Sequence, residues 1–203
     1  MSGLVQAAIR ESVRALAEGE DSDLKTVRDR EAEINRMELE IDGITTELLA
    51  LEQPVASDLR FITAAGKINN ILERIGDLAV NVAERSESLF RHHAKIRTDV
   101  PILAELAESM VKRALDAFIN KDANEARAVL LSDDAIDELR DSVFNELIGR
   151  MKKNAQSVQP CVDLMFAARN LERMADHATN IAEAVVFMVE GVDVRHHHVQ
   201  VAN

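Results

Sequence analysis

Residues 72–84 read LERIGDLAVNVAE, and residues 171–183 read LERMADHATNIAE. The two stretches keep their acids and amides in step across a shift of 99 residues: Glu73 matches Glu172, Asp77 matches Asp176, Asn81 matches Asn180 and Glu84 matches Glu183. The same shift carries Glu38 and Asp42 onto Asp137 and Asp141. A pattern that recurs in this way is one structural module used twice. On a helix, at about 100° per residue, Glu73, Asp77, Asn81 and Glu84 fall within about 80° of one another, a narrow face about three turns long. Each copy therefore presents a stripe of acids and amides along one side of a helix.

Working outward, apolar residues at helical spacing run through nearly the whole chain. Glycine (7) and proline (3) are scarce, while Ala, Leu, Glu, Arg and Asp are plentiful, which argues for long helices rather than sheet. The pattern predicts helices over 4–18, 23–52, 55–91, 101–120, 122–153 and 159–190. On the second of these, Leu24, Val27, Ile34, Met37, Ile41, Leu48 and Leu51 are expected to face inward. Asp21-Ser22-Asp23 can cap it, and Pro54 marks a turn or the first position of the next helix. The order short, long, long occurs twice, and short connections make neighbouring helices antiparallel. The fold class that follows is all-α: two tandem three-helix bundles related by an internal pseudo-twofold repeat. The first repeat covers 1–93, a linker 94–100, the second repeat 101–190 and a loose tail 191–203. Helices of about 35 residues are about 50 Å long, so the molecule is elongated. Bundles this thin need each other to complete a core. Gly76, in mid-helix, points to a close helix approach, and Ala175 at the matching place to a slightly wider one.

The acids of the stripe have few partners on their own helices. Glu38 has Asn35 and Asp42 nearby, and Glu73 faces Asn69, Asn70 and Asp77. Like charges four residues apart destabilise a helix by about 0.2–0.5 kcal/mol per pair. Only Arg74, Arg173 and Arg140 can lean toward Asp77, Asp176 and Asp137. Two antiparallel helices joined near Pro54 bring Glu38 and Asp42 close to Glu73 and Asp77. Each repeat then offers four carboxylates with Asn81 or Asn180 alongside, oxygen donors of the kind hard cations take. The competing reading is a solvated acidic face, or acids paired to Arg from another helix. Carboxylate and amide donors favour magnesium, manganese or ferric iron.

Composition excludes several function classes. A formal net charge of -12 disfavours nucleic acid and anionic lipid, and with neither Trp nor Tyr there is no obvious platform for stacking bases. Cys161 is the single cysteine, so no intrachain disulfide forms, and its apolar neighbours mark it as buried. The start does not read as a signal peptide, and no apolar run of about 18 residues is present to insert into a membrane. A cytoplasmic location is expected. His92, His93 and the run 196–198 read as exposed and weakly metal-binding at most. His177, beside Asp176, points about 100° away from it, which suits a partner-facing or hydrogen-bonded side chain. Asp58 and Arg60 are candidates for a partner surface. Met37, Met110, Met151, Met165, Met174 and Met188 read as core filler.

The ordered set of motifs resembles the PhoU family over nearly the whole chain. It comprises the Glu38/Asp42 helix, PVASDLR at 54–60, LERIGDLAVNVAE, the Asp137/Asp141 helix, LERMADHATNIAE and the closing EGVDVRH. Departures are a first helix shorter than the family's and, in the second repeat, Gln159-Pro160 where the first has PVASDLR. The resemblance implies two similar three-helix bundles with a metal cluster at each motif pair, iron and zinc among the ions. By that likeness the ligand candidates are Glu38, Asp42, Glu73, Asp77, Asp137, Asp141, Glu172 and Asp176, with Asn81, Glu84, Asn180 and Glu183 next. It also implies an adaptor without catalytic activity. Such an adaptor couples the ATPase of the phosphate ABC transporter to a sensor histidine kinase and represses the phosphate-starvation response when phosphate is plentiful. A homodimer suits the elongated shape. Two other classes stand beside this: a structural or metal-buffering helical protein without a signalling partner, and a carboxylate-bridged di-metal enzyme. The last would use Glu-x-x-His pairs, and no Glu here has His three residues later.

Overall fold

The computed structural model describes residues 1–18, 22–91 and 98–195. Its helices are α1 (Ser2–Glu18), α2 (Ser22–Glu52), α3 (Ala56–Arg91), α4 (Val100–Asn120), α5 (Ala123–Leu130), α6 (Asp133–Lys153) and α7 (Val158–Glu190), with a 3-10 turn at Ala155–Ser157. No strand occurs among the described residues. Asp21, the His92-His93 pair, most of the linker and the run 196–198 lie outside them.

α1 and α2 pack on α3, while α4, α5 and α6 pack on α7. The most extensive helix pair is α3 with α7, which joins the two halves. The reason is written in their apolar stripes. Ile68, Ile71, Leu72, Ile75, Ala79 and Val82 line one side of α3, and Leu171, Met174, Ala175, Ala178, Ile181 and Ala182 one side of α7. The alanines let the backbones approach. A continuous core runs from Val5 and Ile9 through Ile34 and Ile75 to Leu103, Leu115 and Met174. The expected mutual packing of two thin bundles is thus present. Cys161, Met110, Met174 and Met188 are buried, and Met151 and Met165 pack against the core, whereas Met37, on α2 beyond Ile34, is half-buried and outside that core.

The expected helix over 122–153 is two helices. Asp122 starts α5 by accepting from the backbone N–H groups of Asn124 (2.9 Å) and Glu125 (3.0 Å). At the break the Ser132 hydroxyl donates to the Ala128 carbonyl (3.0 Å) and receives Arg113 Nη1 (3.3 Å). A serine bonding back to the preceding turn competes with the helix ladder. Asp133 and Asp134 then occupy the first turn of α6, where carboxylates favour a helix start.

The second departure is on α2. Leu48 and Leu51 are exposed, at 39% and 69%, where the periodicity placed them inward. The fully buried residues of α2 stop at Ile34. α1 has 17 residues against 31 for α2, so it covers only the start of its neighbour. The far end is a two-helix hairpin that leaves Leu39, Leu51 and Val55 in solvent. Pro54 sits in its turn, flanked by Gln53 and Ala56 at positive φ.

Three contacts fix the long helices. A Cβ on Gly76 would come within 3.2 Å of Ile34 Cδ1, the close α2–α3 approach expected there. Arg60 Nε donates to the Met188 carbonyl (3.2 Å), so this arginine caps the end of α7. That helix stops where Gly191 turns left-handed at φ 73°. Between the halves, Asp163 of α7 is 1% exposed; it accepts from Ser88 Oγ (2.8 Å) and Gln159 Nε2 (3.3 Å) and faces Arg85 Nη1 at 3.6 Å. Arg85 lies 5.0 Å over the Phe166 ring.

Candidate functional site

The first acidic face is made by α2 and α3. Ile34 and Ile75 bury the inner sides of these helices, which leaves Glu38, Asp42, Glu73 and Asp77 along the outer seam. Glu38, Asp42 and Glu73 are half-buried and Asp77 is exposed. Among the described residues, none of the four has a Lys or Arg nitrogen within ion-pair distance; the nearby pairs are Arg36–Glu40 and Arg28–Glu84. Glu73 is pushed above the usual carboxylate range, first by burial and then by Asp77. Arg74 opposes this shift, while Glu38 and Glu31 add to it.

Asn69 completes this face. It is 2% exposed, and its Nδ2 donates to the Glu38 carbonyl (2.9 Å) and to Asp42 Oδ1 (3.0 Å). Those two acceptors fix the amide orientation and leave Asn69 Oδ1 buried without a hydrogen-bond partner. Asn35 Oδ1 is in the same condition, its Nδ2 being given to Glu31. Two orphaned amide oxygens beside uncompensated carboxylates make a donor set that suits a hard cation. The sequence carried a sign of Asn69: an asparagine four residues before Glu73, on the same face.

The second face, on α6 and α7, differs. Arg140 lies among the acids, with Nη2 3.3 Å from Asp137 Oδ1, Nε 2.9 Å from Asp141 Oδ1 and Nη1 3.1 Å from Glu172 Oε1. The expected lean toward Asp137 is there, but the guanidinium also reaches both other carboxylates. Glu172 is still raised above its ordinary pKa by burial and then Asp176, with Arg140 opposing. Asp176 is raised by burial and then Asp137. Asp133, missed by the motif, is raised by burial and then by Asp176 and Asp137, and its Oδ1 has no partner. Arg173 acts on Asp176 through space without an ion pair.

The secondary candidates are dispersed. Glu84 is bound by Arg28 Nη2 at 2.9 Å, Asn180 Nδ2 donates to the Asp176 backbone carbonyl at 2.8 Å, and Asn81 is exposed. Glu183 lines a cleft of about 160 Å³ with Thr63, Lys67, Phe187, Asp193 and Arg195. His177 is half-buried, its Nδ1 lacks a partner, and burial followed by Arg173 and Arg74 lowers its pKa. Among the described residues, no three His, Cys, Asp or Glu side chains are gathered into a formed ion-binding group. Within each repeat the acids share a face and feel one another's charge without converging on a point.

A helical chain with one module used twice, its halves joined along two long helices and each flanked by an acidic seam, defines a tandem-repeat all-α protein. The sequence matches the PhoU domain family model over residues 1–86 and again over 100–185. The chain belongs to the PhoU family. It is 38% identical over 198 residues to a protein of Pseudomonas putida described as a phosphate-specific transport system accessory protein PhoU homolog, covering 97% of this chain and 77% of that one. A Pseudomonas aeruginosa protein of the same description is 37% identical, with 97% and 82% covered. The crystal structure of PhoU from Pseudomonas aeruginosa superposes with a TM-score of 0.91 at 36% identity, over 95% of this chain and 93% of that one. The phosphate transport system regulatory protein PhoU from Streptococcus pneumoniae gives 0.88 at 27%, over 95% and 91%. Among the described residues no helix is long and apolar enough to cross a membrane.

Proposed function

We propose that this chain is a non-catalytic adaptor of phosphate homeostasis. It acts in the cytoplasm as a homodimer. It links the ATPase of the phosphate ABC transporter to a sensor histidine kinase and holds the phosphate-starvation response off while phosphate is plentiful. The observation that carries this reading is the match of both repeats to the PhoU domain, together with relatives named as accessory proteins of phosphate transport. Deleting the gene is expected to switch on phosphate-starvation genes in phosphate-rich medium. A deletion strain that keeps those genes repressed overturns the proposal.

The acids would serve this adaptor by holding iron, manganese, magnesium or zinc. Glu38, Asp42, Glu73 and Asp77 are the primary holders, with the Asn69 and Asn35 amide oxygens beside them. A bound cation supplies positive charge that neutralises a seam the chain itself leaves uncompensated. The residues do the rest: Asn69 ties α2 to α3 through Glu38 and Asp42, so loading the seam stiffens that hairpin. Because a ligand selective for the folded state adds stability, a chelator is expected to lower the melting temperature. A melting curve indifferent to both chelator and added ion sinks the metal part alone.

A further inference from the structure

The two acidic seams come from one repeated pattern, yet they offer a cation different surroundings. The residue before Asp42 is Ile41, and the residue before Asp141 is Arg140. The position of the buried Asn69 is taken by Ala168 in the second copy. So the first seam has a spare amide oxygen and no resident cation, while the second has a resident cation and lacks that amide.

We infer that the guanidinium of Arg140 replaces a metal ion in the second repeat, so that a hard cation recruited by this chain is held at the first repeat alone. The inference rests on the reading that the acidic seams bind metal. Arg140 engages Asp137, Asp141 and Glu172 at 3.3, 2.9 and 3.1 Å, three of the four motif acids of its repeat. Its side chain is only 24% exposed and that of Glu172 14%, so this contact is shielded from competing water, whereas Asp137 and Asp141 meet the guanidinium at the wetter rim. A metal at the same oxygens would have to displace a guanidinium that hydrogen-bonds Glu172 and stands at ion-pair distance from Asp137 and Asp141, and then leave that charge beside its own. Arg140 does not reach Asp176, or Asp133, whose Oδ1 is buried without a partner in the first turn of α6. There the helix N-terminus supplies partial positive charge of its own. In the first repeat nothing corresponds to either device. Asn69 Oδ1 stays buried and unpartnered beside Asp42, and Glu38, Asp42, Glu73 and Asp77 have no Lys or Arg within ion-pair reach among the described residues.

The experiment is Mn²⁺ binding to the full chain, followed by electron paramagnetic resonance and by the ion-dependent rise in melting temperature. Asp42→Asn with Glu73→Gln is expected to abolish binding, whereas Asp141→Asn with Glu172→Gln leaves it unchanged. Ile41→Arg, which installs the second repeat's cation in the first, is expected to abolish it too. Asn69→Ala lowers affinity by about tenfold or more, as loss of a supporting group at a metal site does. Arg140→Ile is expected to raise the bound Mn²⁺ about twofold as the second seam opens to oxygen-seeking ions. Should Arg140→Ile unfold the chain, the Ile41→Arg and Asp141/Glu172 variants decide the matter. If native protein binds Mn²⁺ but Ile41→Arg keeps half of it, or Asp141→Asn with Glu172→Gln loses half, the asymmetry is wrong while the metal reading stands. If native protein binds no Mn²⁺, the metal reading falls and takes the asymmetry with it.

Discussion

The clamp between the repeats gives the sharpest test of how the two seams are held relative to each other. Asp163 is 1% exposed, whereas the Arg85 side chain opposite it is 40% exposed. The two truncations are therefore unequal. Arg85→Ala strands a carboxylate inside the protein with two neutral donors, Ser88 and Gln159, and also removes the contact with the Phe166 ring. Breaking a buried pair in this way costs about 3–5 kcal/mol. The 3.6 Å separation and the partly wetted guanidinium point to the lower end, so about 3 kcal/mol. Asp163→Ala leaves a guanidinium that solvent reaches in part, and its two lost hydrogen bonds are offset by removing a carboxylate that was costly to bury, for about 2 kcal/mol net. In a chain of this size 1 kcal/mol is about 2–4 °C in melting temperature. Arg85→Ala is then expected to melt about 6–12 °C low and Asp163→Ala about 4–8 °C low, by circular dichroism in the presence of chelator. The double variant should fall short of their sum, because the second truncation removes the stranded charge left by the first. If Asp163→Ala proves the costlier change, or the two effects simply add, then burial does not set the energetics of this contact and the reasoning is refuted.

Other outcomes follow from the seams and the caps. Glu73→Gln and Asp77→Asn each relieve one like-charge pair, so ion-free protein should gain about 0.2–0.5 kcal/mol while the Mn²⁺-dependent rise in melting temperature disappears; thermal melts with and without ion check both halves. Glu73, Asp133, Glu172 and Asp176 all have folded pKa values above the ordinary range. An acid raised in this way destabilises the fold when ionised, and the penalty fades as pH falls through its folded pKa. Ion-free protein should therefore gain from these groups on mild acidification from neutrality, while the increment from Mn²⁺ shrinks because protons compete for the same oxygens; a pH series of melts reads both slopes. Asp122→Ala removes the acceptor for two backbone N–H groups at the start of α5 and should cost about 1 kcal/mol, with amide exchange rising first at Asn124 and Glu125.

Much of this was legible before any coordinates. Periodicity located α3, α4 and α7 to within a residue or two, because these helices bury a continuous apolar side. The doubled LER pattern located the two seams. No Gly or Pro marks the α5–α6 break; its sign in the sequence is Ser132 followed by Asp133 and Asp134, which reads equally as a polar stretch on a helix surface. Leu48 and Leu51 were misplaced because periodicity shows that a helix has an apolar side, not that a third helix is long enough to cover it. The triple engagement of Arg140 was only partly visible, since an arginine three residues after Asp137 announces that contact but not the reach to Glu172 across the groove. Asn69 needed the fold to show that its amide is sealed between helices with one oxygen left over.

The seam between α3 and α7 has a consequence for how the chain is made. The inner side of α3 finds its principal partner in a segment that begins at Val158. A growing chain therefore completes α1 to α3 long before their covering surface has left the ribosome, and for that interval the sticky flank of the third helix is bare. Two copies of one module do not mature as two independent beads. The earlier half waits with that flank uncovered until the last helix arrives.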